Sequence, residues 1–546
     1  MSDDLLRAFE KQLDQHHKTL GIYSHPPEVR LFALLAAYDL TLLSECNARL
    51  QFGDSVGVAW RSMRLQDSLS CCLRWLCQPS PDDMRSPSDK AVFDSAAEFL
   101  LWGCDYTSLA DAHIMYGRGL ADIEVDACAK NIRFVLKPEG DRREIDGYVQ
   151  VCEFQRTIAK QNERAQRQLL SSMAADLSHI SATYHDGSVH ILNVAQLKTP
   201  ALVEYYRTEA SPEVLPLDSP TDLGGFSFGE YSQFWHAISN WSGALLELYA
   251  LAVRKGVEGL RCAPTQLLTQ SEFVHDMAVL SDLAPSTIVR IVDRLTYDFA
   301  NNRGDIWLQP FVRSNGSILW SPRIIRRSRY QRNMLKLMAR TPALKDVADN
   351  IIGAQEGRFV NLIGTLLSKK AGYQFKILTR LSTQSQKAEI DFIAYQTKTP
   401  SEVLVVEAKT LLPADEVNEV SEVTNKLMTA QGQFENALGV LKSMPNEAKQ
   451  RLFKFIDWSR VQKYYPLLMT PDTHPDTRYD DDVVPHMSYT SLRTYPRPRD
   501  LSKPSRLWSF CKSKQWVKER TPTKPCKYKD IRVADITYSV PILELE

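Results

Sequence analysis

Residues 388–410 read A-E-I-D-F-I-A-Y-Q-T-K-T-P-S-E-V-L-V-V-E-A-K-T, and they decide the fold of the C-terminal third. Two apolar runs that contain carboxylates are separated by a polar, proline-containing turn, which predicts a β-hairpin. Residues two apart on a strand share a face, so Glu407 and Lys409 project together, as do Glu389 and Asp391. Buried charges are costly unless they are paired or bound to a metal. The hairpin therefore predicts an oxygen-ligand site for a hard divalent cation, with a lysine beside it.

The sequence around the hairpin predicts an α-β-β-β-α-β order, because helical and strand periodicities alternate along it. The predicted elements are a helix over 347–370, strands over 373–381, 388–395 and 403–410, a helix over 416–442, and a strand over 464–470. The apolar stripe expected on the first helix consists of Phe359, Leu362, Ile363, Leu366 and Leu367.

Two polar residues fall on the predicted apolar faces of these helices. Glu356 lies three residues before Phe359, and Gln431 lies three residues before Phe434. A polar side chain that faces a sheet is costly unless it meets other polar groups there. Both side chains are therefore expected at the same site as the hairpin carboxylates.

With these motifs, residues 345–475 resemble the PD-(D/E)xK nuclease superfamily. A-E-I-D-F-I-A followed by V-V-E-A-K is similar to the Holliday-junction-resolvase and Mrr-type branches, in which G-E-I-D-x-I precedes V-E-V-K. The resemblance implies a restriction-endonuclease-like core in which Asp391 and Glu407 ligate Mg²⁺, with Mn²⁺ as a substitute. It also implies the Ala408 carbonyl and Glu389 as further metal ligands.

The resemblance assigns roles to three more residues. Lys409 would position the attacking water and help to deprotonate it. Glu356 corresponds to the first-helix glutamate of many members, and Gln431 to the second-helix glutamine of some branches. The chain departs from the closest branches at Ala388, where they often have glycine, and at Ile390, where proline is frequent elsewhere in the superfamily.

The resemblance implies a metal-dependent endonuclease that hydrolyses phosphodiester bonds of nucleic acid, DNA more than RNA. Its setting is expected to be phage defence or DNA repair, because a nuclease-like region is joined to a large helical region; this is an argument by analogy. Two alternatives stay open. One is a non-enzymatic nucleic-acid-binding scaffold that keeps a degenerate nuclease fold, and the other is an unrelated domain whose hairpin charges form a structural salt bridge.

The whole chain is predicted to be a multidomain α plus α/β protein, since 546 residues are too many for one core. The predicted parts are a mostly helical region of unassigned role (1–208), a linker (209–226), a helical region with a winged-helix-like connector (227–340), the nuclease-like domain (341–475), and a tail that is first acidic and then basic and aromatic (476–546).

The connector is predicted from its order of elements. Helices over 269–280 and 286–296 flank a turn, and strand-like runs over 305–312 and 317–325 are joined through Asn315-Gly316, a strong hairpin signal. Helix, turn, helix, hairpin is the order of a winged-helix module, whose second helix can enter a major groove. The alternative is a small connector that packs the two halves of the chain together.

Nucleic-acid contacts are predicted for the run 323–340, which contains no acidic residue. Such a run is either a solvated face or a surface for phosphate. The candidates are Arg323, Arg326, Arg327, Arg329 and Arg332. A second basic segment, 497–529, is interleaved with aromatic residues, which either stack on unpaired bases or pack back onto the protein.

The composition is that of an ordinary globular protein, with 44% hydrophobic and 24% charged residues and zero formal net charge. No secretory signal or membrane span is visible, and the scattered cysteines are expected to be reduced thiols, so a cytoplasmic protein is predicted. The expected partner is nucleic acid rather than a membrane. A partner protein at the helical region and an oligomer are both possible.

Overall fold

The computed structural model describes residues 10–52, 55–76, 83–137, 177–199, 218–257, 264–299, 304–382, 387–411, 417–471, 484–513 and 527–542, apart from 118, 120, 127, 129, 178, 186–187 and 495. Within these ranges, no helix is both long enough and apolar enough to cross a membrane.

Helices and strands both occur throughout the described residues. The helices are α1 (Pro27–Phe52), α2 (Ser55–Leu76), α3 (Lys90–Gly117), α4 (Phe228–Arg254), α5 (Gln270–Ser281), α6 (Pro285–Arg294), α7 (Pro322–Arg327), α8 (Tyr330–Arg340), α9 (Lys345–Ala371), α10 (Val417–Ser443), α11 (Asn446–Leu452), α12 (Tyr489–Thr494) and α13 (Pro504–Ser513). The strands are β1 (Ala121–Asp126), β2 (Asn131–Leu136), β3 (Ala182–His185), β4 (Ser188–Ile191), β5 (Gln266–Thr269), β6 (Val312–Ser314), β7 (Ser317–Trp320), β8 (Gln374–Ser382), β9 (Lys387–Tyr395), β10 (Glu402–Ala408), β11 (Lys463–Thr470), β12 (His486–Ser488), β13 (Lys527–Val533) and β14 (Ile536–Ile542).

The described residues divide into two compact units. The first contains 10–135, 177–347 and 527–542, and the second contains 348–513. Each unit has helices and at least one sheet, so the prediction of a mixed helical and sheet protein is confirmed. The first half of the linker expected at 209–226 lies outside the described residues, whereas its second half, 218–226, buries Leu223 and Phe226. The acidic patch at 472–482 lies outside the described residues.

The helical region and the connector share one hydrophobic core in the first unit. Buried side chains of α1, α2 and α3 pack with Ile306, Val312, Leu319 and Ile324 from the connector. The fully buried Asp39 on α1 accepts a hydrogen bond of 2.7 Å from the Thr265 hydroxyl. The parts expected at 1–208 and 227–340 are therefore packed together rather than separated.

The predicted order of helix, turn, helix and hairpin is present as α5, α6, β6 and β7. Asn315 and Gly316 both have positive φ, as the hairpin turn requires. A third strand that was not predicted, β5, pairs with β7, and the strand order is β5-β7-β6. The strand-like run at 317–325 was predicted too long, because Pro322 begins α7. The run at 305–312 was predicted too early in the sequence, since β6 begins at Val312, after Pro310.

The segment expected as a tail contributes to regular structure in both units. In the first unit, β13 and β14 form a hairpin, and β14 pairs in parallel with β2. In the second unit, α13 buries Leu507, Phe510 and Cys511. The Glu402 carboxylate accepts hydrogen bonds from the Ser505 backbone N–H (3.0 Å) and hydroxyl (3.1 Å) at the start of α13. Trp516 lies outside the described residues.

The sheet of the second unit has the strand order β12-β11-β10-β9-β8. Strands β8, β9 and β10 are antiparallel neighbours, whereas β10 and β11 are parallel, with Ala408 opposite Met469. The six elements predicted over 347–470 are all present, with boundaries within two residues of the prediction. The short helix α11, between α10 and β11, was not predicted.

Helix α9 packs one face against this sheet. The core contains Phe359, Val360, Ile363 and Leu367. The periodicity predicts Phe359, Ile363 and Leu367 but not Val360. Leu362, however, is 52% exposed, because a helix of 3.6 residues per turn turns it away from the sheet. On α10 the buried stripe is formed by Val423, Leu427, Ala430, Phe434, Ala437 and Leu441.

Candidate active site

Asp391 and Glu407 lie opposite each other on the central strands of the second unit. Phe392 on β9 pairs with Val406 on β10, and the next position in the same register places Asp391 opposite Glu407. Cross-strand neighbours on one face have Cβ atoms about 5 Å apart. Both residues are less than 9% exposed, so two carboxyl groups share one buried site.

Asp391 is anchored by the main chain of the neighbouring strand. The Ala408 N–H donates a hydrogen bond of 2.8 Å to Asp391 Oδ2. The next residue, Lys409, donates its N–H to the Met469 carbonyl on the other side. Since the N–H and C=O of one residue in a strand point to the same neighbour, the Ala408 carbonyl is directed toward the Asp391 side.

Lys409 connects the hairpin to α9. Its Nζ lies 2.9 Å from Glu407 Oε1 and 3.6 Å from Glu356 Oε1. The second distance is longer than a hydrogen bond, and Glu356 Oε1 is buried without a hydrogen-bond partner among the described residues. Glu356 therefore faces the site and forms an ion pair with Lys409 there.

The crowding of these groups shifts their pKa values. Burial, together with the negative charge of Asp391, raises the pKa of Glu407 to about 7. Burial also raises the pKa of Asp391, against the effect of the Ala408 N–H, and raises the pKa of Glu356. Burial would lower the pKa of Lys409, but the carboxylates of Glu407, Glu356 and Asp391 raise it. Three acids around one ammonium leave an excess of negative charge when they ionise, which favours binding of a cation.

The edge strand is irregular beside Asp391. Ile377 pairs with Phe392, and Thr379 pairs with Ile390. Between these two pairs, Leu378 and Asp391 do not pair with each other. Leu378 has a φ of 45° and is 45% exposed. A leucine in the left-handed region is strained, and strained backbone is common at functional sites. No sequence signal predicts this irregularity, since Q-F-K-I-L-T-R-L-S (374–382) contains neither glycine nor proline.

Glu389 and Gln431 make contacts that differ from those of the other four predicted side chains. Glu389 shares the face of Asp391 but is exposed, and its carboxylate lies 3.6 Å from Arg380 Nε on β8. Gln431 is half-buried at the edge of the α10 stripe, and its amide donates a hydrogen bond of 3.1 Å to Glu435 on the same helix. The structure therefore brings Asp391, Glu407, Lys409 and Glu356 together, and, besides burial, the negative charge of Glu389 contributes to the raised pKa values of Asp391 and Glu356.

A cleft of about 360 Å³ opens beside Lys409. Its lining residues come from the end of the hairpin and the outer side of α10. They are Lys409, Leu411, Asn425, Lys426, Thr429, Ala430 and Gln433. The sequence prediction missed this wall, because Lys426 and its neighbours read as an ordinary solvated helix face.

The five predicted nucleic-acid arginines lie on or beside α7 and α8 in the first unit, and none is exposed. Arg323 lies near the buried carboxyl groups of Asp39 and Glu247. The charge of Arg327 lies beside the buried Tyr38 hydroxyl, and Arg332 is only 7% exposed. The neighbours of Arg323 and Arg327 come from distant parts of the sequence. The run 323–340 therefore shows no acidic partner when it is read alone.

A metal ion held only by side chains needs at least three suitable ligands in one place. Among the residues that the structure describes, no group of three or more His, Cys, Asp or Glu side chains is arranged to hold a metal ion. Magnesium, however, is commonly bound through one or two carboxylates plus water and substrate phosphates. Asp391 and Glu407 match that smaller donor set.

No family model, curated protein or solved structure matches this chain. Interpretation of the site therefore rests on the geometry of its residues.

Proposed function

We propose that the protein is a metal-dependent nuclease that hydrolyses phosphodiester bonds, with DNA favoured over RNA. The observation that carries the proposal is the buried pair Asp391 and Glu407 on adjacent strands, with Lys409 2.9 Å from Glu407. The α-β-β-β-α-β order around this group supports the resemblance to the PD-(D/E)xK superfamily and to its restriction-endonuclease-like core.

The donor set fits a hard divalent cation. Asp391, Glu407 and the Ala408 carbonyl would hold Mg²⁺ or Mn²⁺, and the substrate phosphate and water would complete the ligand shell. Burial raises the pKa values of the two carboxyl groups, and in Glu407 the charge of Asp391 adds to this effect. A bound cation would stabilise their ionised forms. When bound, the cation would supply Lewis acidity toward a phosphoryl oxygen and toward water.

The raised pKa of Lys409 defines its part in the chemistry. An ammonium group that is stabilised by Glu407 and Glu356 stays protonated near neutral pH. It therefore donates hydrogen bonds, which suits it to orient the attacking water and to stabilise negative charge on the phosphoryl oxygens. This geometry supports the positioning role implied by the resemblance and does not support Lys409 as the acceptor of the water proton.

The supporting geometry is confined to the second unit, so it bears on the reaction and not on the cellular setting. Phage defence or DNA repair, and a partner protein at the helical region, stay predictions from the combination of parts in the chain.

The test is a cleavage assay with the full chain on single- and double-stranded DNA and RNA. We expect cleavage of at least one DNA substrate with Mg²⁺ or Mn²⁺, complete loss in EDTA, and recovery when excess metal is added back. Full activity in EDTA would contradict metal-dependent hydrolysis. Binding without cleavage of any substrate in either metal would favour the non-enzymatic scaffold.

A further inference from the structure

The outer side of α10 faces the cleft beside Lys409. Asn425, Lys426, Thr429 and Gln433 contribute polar side chains to this wall, while Leu427 and Phe434 are buried on another side of the helix. Helix packing explains the buried side fully, but it gives no reason for the polar side chains that line the cleft.

The cleft is positively charged along its described lining. Its two charged residues are Lys409 and Lys426, and no carboxylate occurs among the described lining residues. Lys409 is held by Glu407 and Glu356. Lys426 is exposed, so its ammonium group can meet an anion that lies in the cleft.

The neutral lining residues are spaced for a repeating ligand. Asn425, Thr429 and Gln433 are four residues apart, so neighbouring positions are separated by about 6 Å along the helix. This spacing is close to the distance between successive phosphates of a nucleic-acid strand. The Thr429 hydroxyl donates to the Asn425 carbonyl at 3.0 Å, which leaves the two side-chain amides as hydrogen-bond donors toward the cleft.

The described lining contains no aromatic side chain. Proteins that hold single strands by their bases use aromatic rings as stacking surfaces. Lysine and amide donors instead suit the sugar-phosphate backbone, which positions a strand without reading its sequence.

We propose that the α10 cleft binds the phosphodiester backbone of the nucleic-acid strand that is cleaved, with Lys426 as the main phosphate contact. This inference rests on the proposed nuclease function and deepens it, because it names the wall that grips the substrate and makes that grip independent of base sequence.

The test compares Lys426→Gln with Lys398→Gln in the full chain. Lys398 is an exposed lysine in the turn between β9 and β10, at the opposite end of those strands from Lys409. Steady-state cleavage is measured with Mg²⁺, and binding of fluorescein-labelled DNA and RNA, single- and double-stranded, is measured with Ca²⁺ at several salt concentrations.

Lys426→Gln is expected to raise KM about tenfold with kcat unchanged, since a hydrogen bond to a charged group is lost from substrate binding. The slope of log affinity against log salt should flatten by about 0.7 for single strands or about 0.9 for duplex. Lys398→Gln should match the wild type in both measurements. The strand type that occupies the cleft is the one whose slope changes by this amount while the slope for the other type stays at the wild-type value.

Equal KM values and equal salt slopes for the wild type and Lys426→Gln would overturn the inference and leave the nuclease proposal intact. A loss of kcat with unchanged KM would also overturn it, because Lys426 would then act on the reaction rather than on binding. If the wild type binds but does not cleave, weaker binding by Lys426→Gln supports the cleft while the proposed chemistry fails.

Discussion

Asp39 is a fully buried carboxyl group whose ionisation should control the stability of the first unit. Burial raises its pKa from 3.8 to about 6, although Ser321 and Thr265 donate hydrogen bonds to it. A raised pKa in the folded state means that the stabilising contribution is present below the unfolded pKa and is lost as pH rises through about 6. At neutral pH the wild type therefore carries an ionised Asp39 at a cost in stability.

Asp39→Asn replaces this group with one that does not titrate and that can still accept a hydrogen bond. We expect the free energy of unfolding of the variant, relative to the wild type, to rise by about 2 kcal/mol between about pH 4.5 and pH 7.5. Urea unfolding at several pH values measures this difference. A difference that is constant over the range, or that falls as pH rises, would contradict the assigned pKa.

Individual charged residues were predictable where their partners are close in sequence. The alternation of apolar residues and carboxylates over 388–410 was sufficient to predict that Asp391, Glu407 and Lys409 share one site. The environment of Arg323 was not predictable in this way, because the acids near it, Asp39 and Glu247, are far away in sequence. The contact between Glu389 and Arg380 was not predictable either, because it follows from the pairing of β8 with β9.

At the scale of elements, the helices and strands around the hairpin follow from periodicity, and the exceptions have local causes. Proline limits both strands of the connector hairpin, since Pro310 precedes β6, Pro322 begins α7, and proline lacks the backbone N–H that a sheet requires. Strand β5 is only four residues long and acquires its structure by pairing with β7. The irregular backbone at Leu378 has no signal in the sequence, because it depends on contacts around Asp391.

Helix α9 provides a direct test of how the second unit packs. A Cβ added at Gly364 would overlap the ring of Phe375, which stacks on Phe392. Gly353, on the same helix, has no described atom within 4 Å of an added Cβ. The two glycines therefore differ in surroundings while sharing the same helical backbone.

Alanine normally stabilises a helix by about 1 kcal/mol relative to glycine. We expect that gain for Gly353→Ala, and a net loss of about 1–3 kcal/mol for Gly364→Ala because overpacking outweighs helix propensity. Thermal unfolding of both variants checks the prediction. Stabilisation by Gly364→Ala to the same extent as by Gly353→Ala would show that α9 does not approach β8 this closely.

At the scale of the whole molecule, the sequence predicted several parts but not how they combine. Strand β14 pairs with β2 and so joins residues separated by roughly 400 positions. No local sequence pattern predicts such a contact. Likewise, α1 to α3 share a hydrophobic core with the connector, because the apolar residues of both parts are buried against each other. Local periodicity predicts elements, whereas long-range pairing decides which elements form a unit.

The central claim is that the Asp391 and Glu407 pair makes the intact chain a metal-dependent nuclease. The most direct measurement compares cleavage rates of Asp391→Asn and Glu389→Gln, two variants of acids that share one face of β9 but differ in burial. Asp391→Asn should lower kcat by at least about 100-fold with the fold retained, since the bound cation supplies several kcal/mol of charge stabilisation. Glu389→Gln should stay within about twofold of the wild type, because that carboxylate is exposed and paired with Arg380. Undiminished cleavage by a folded Asp391→Asn protein would contradict the account.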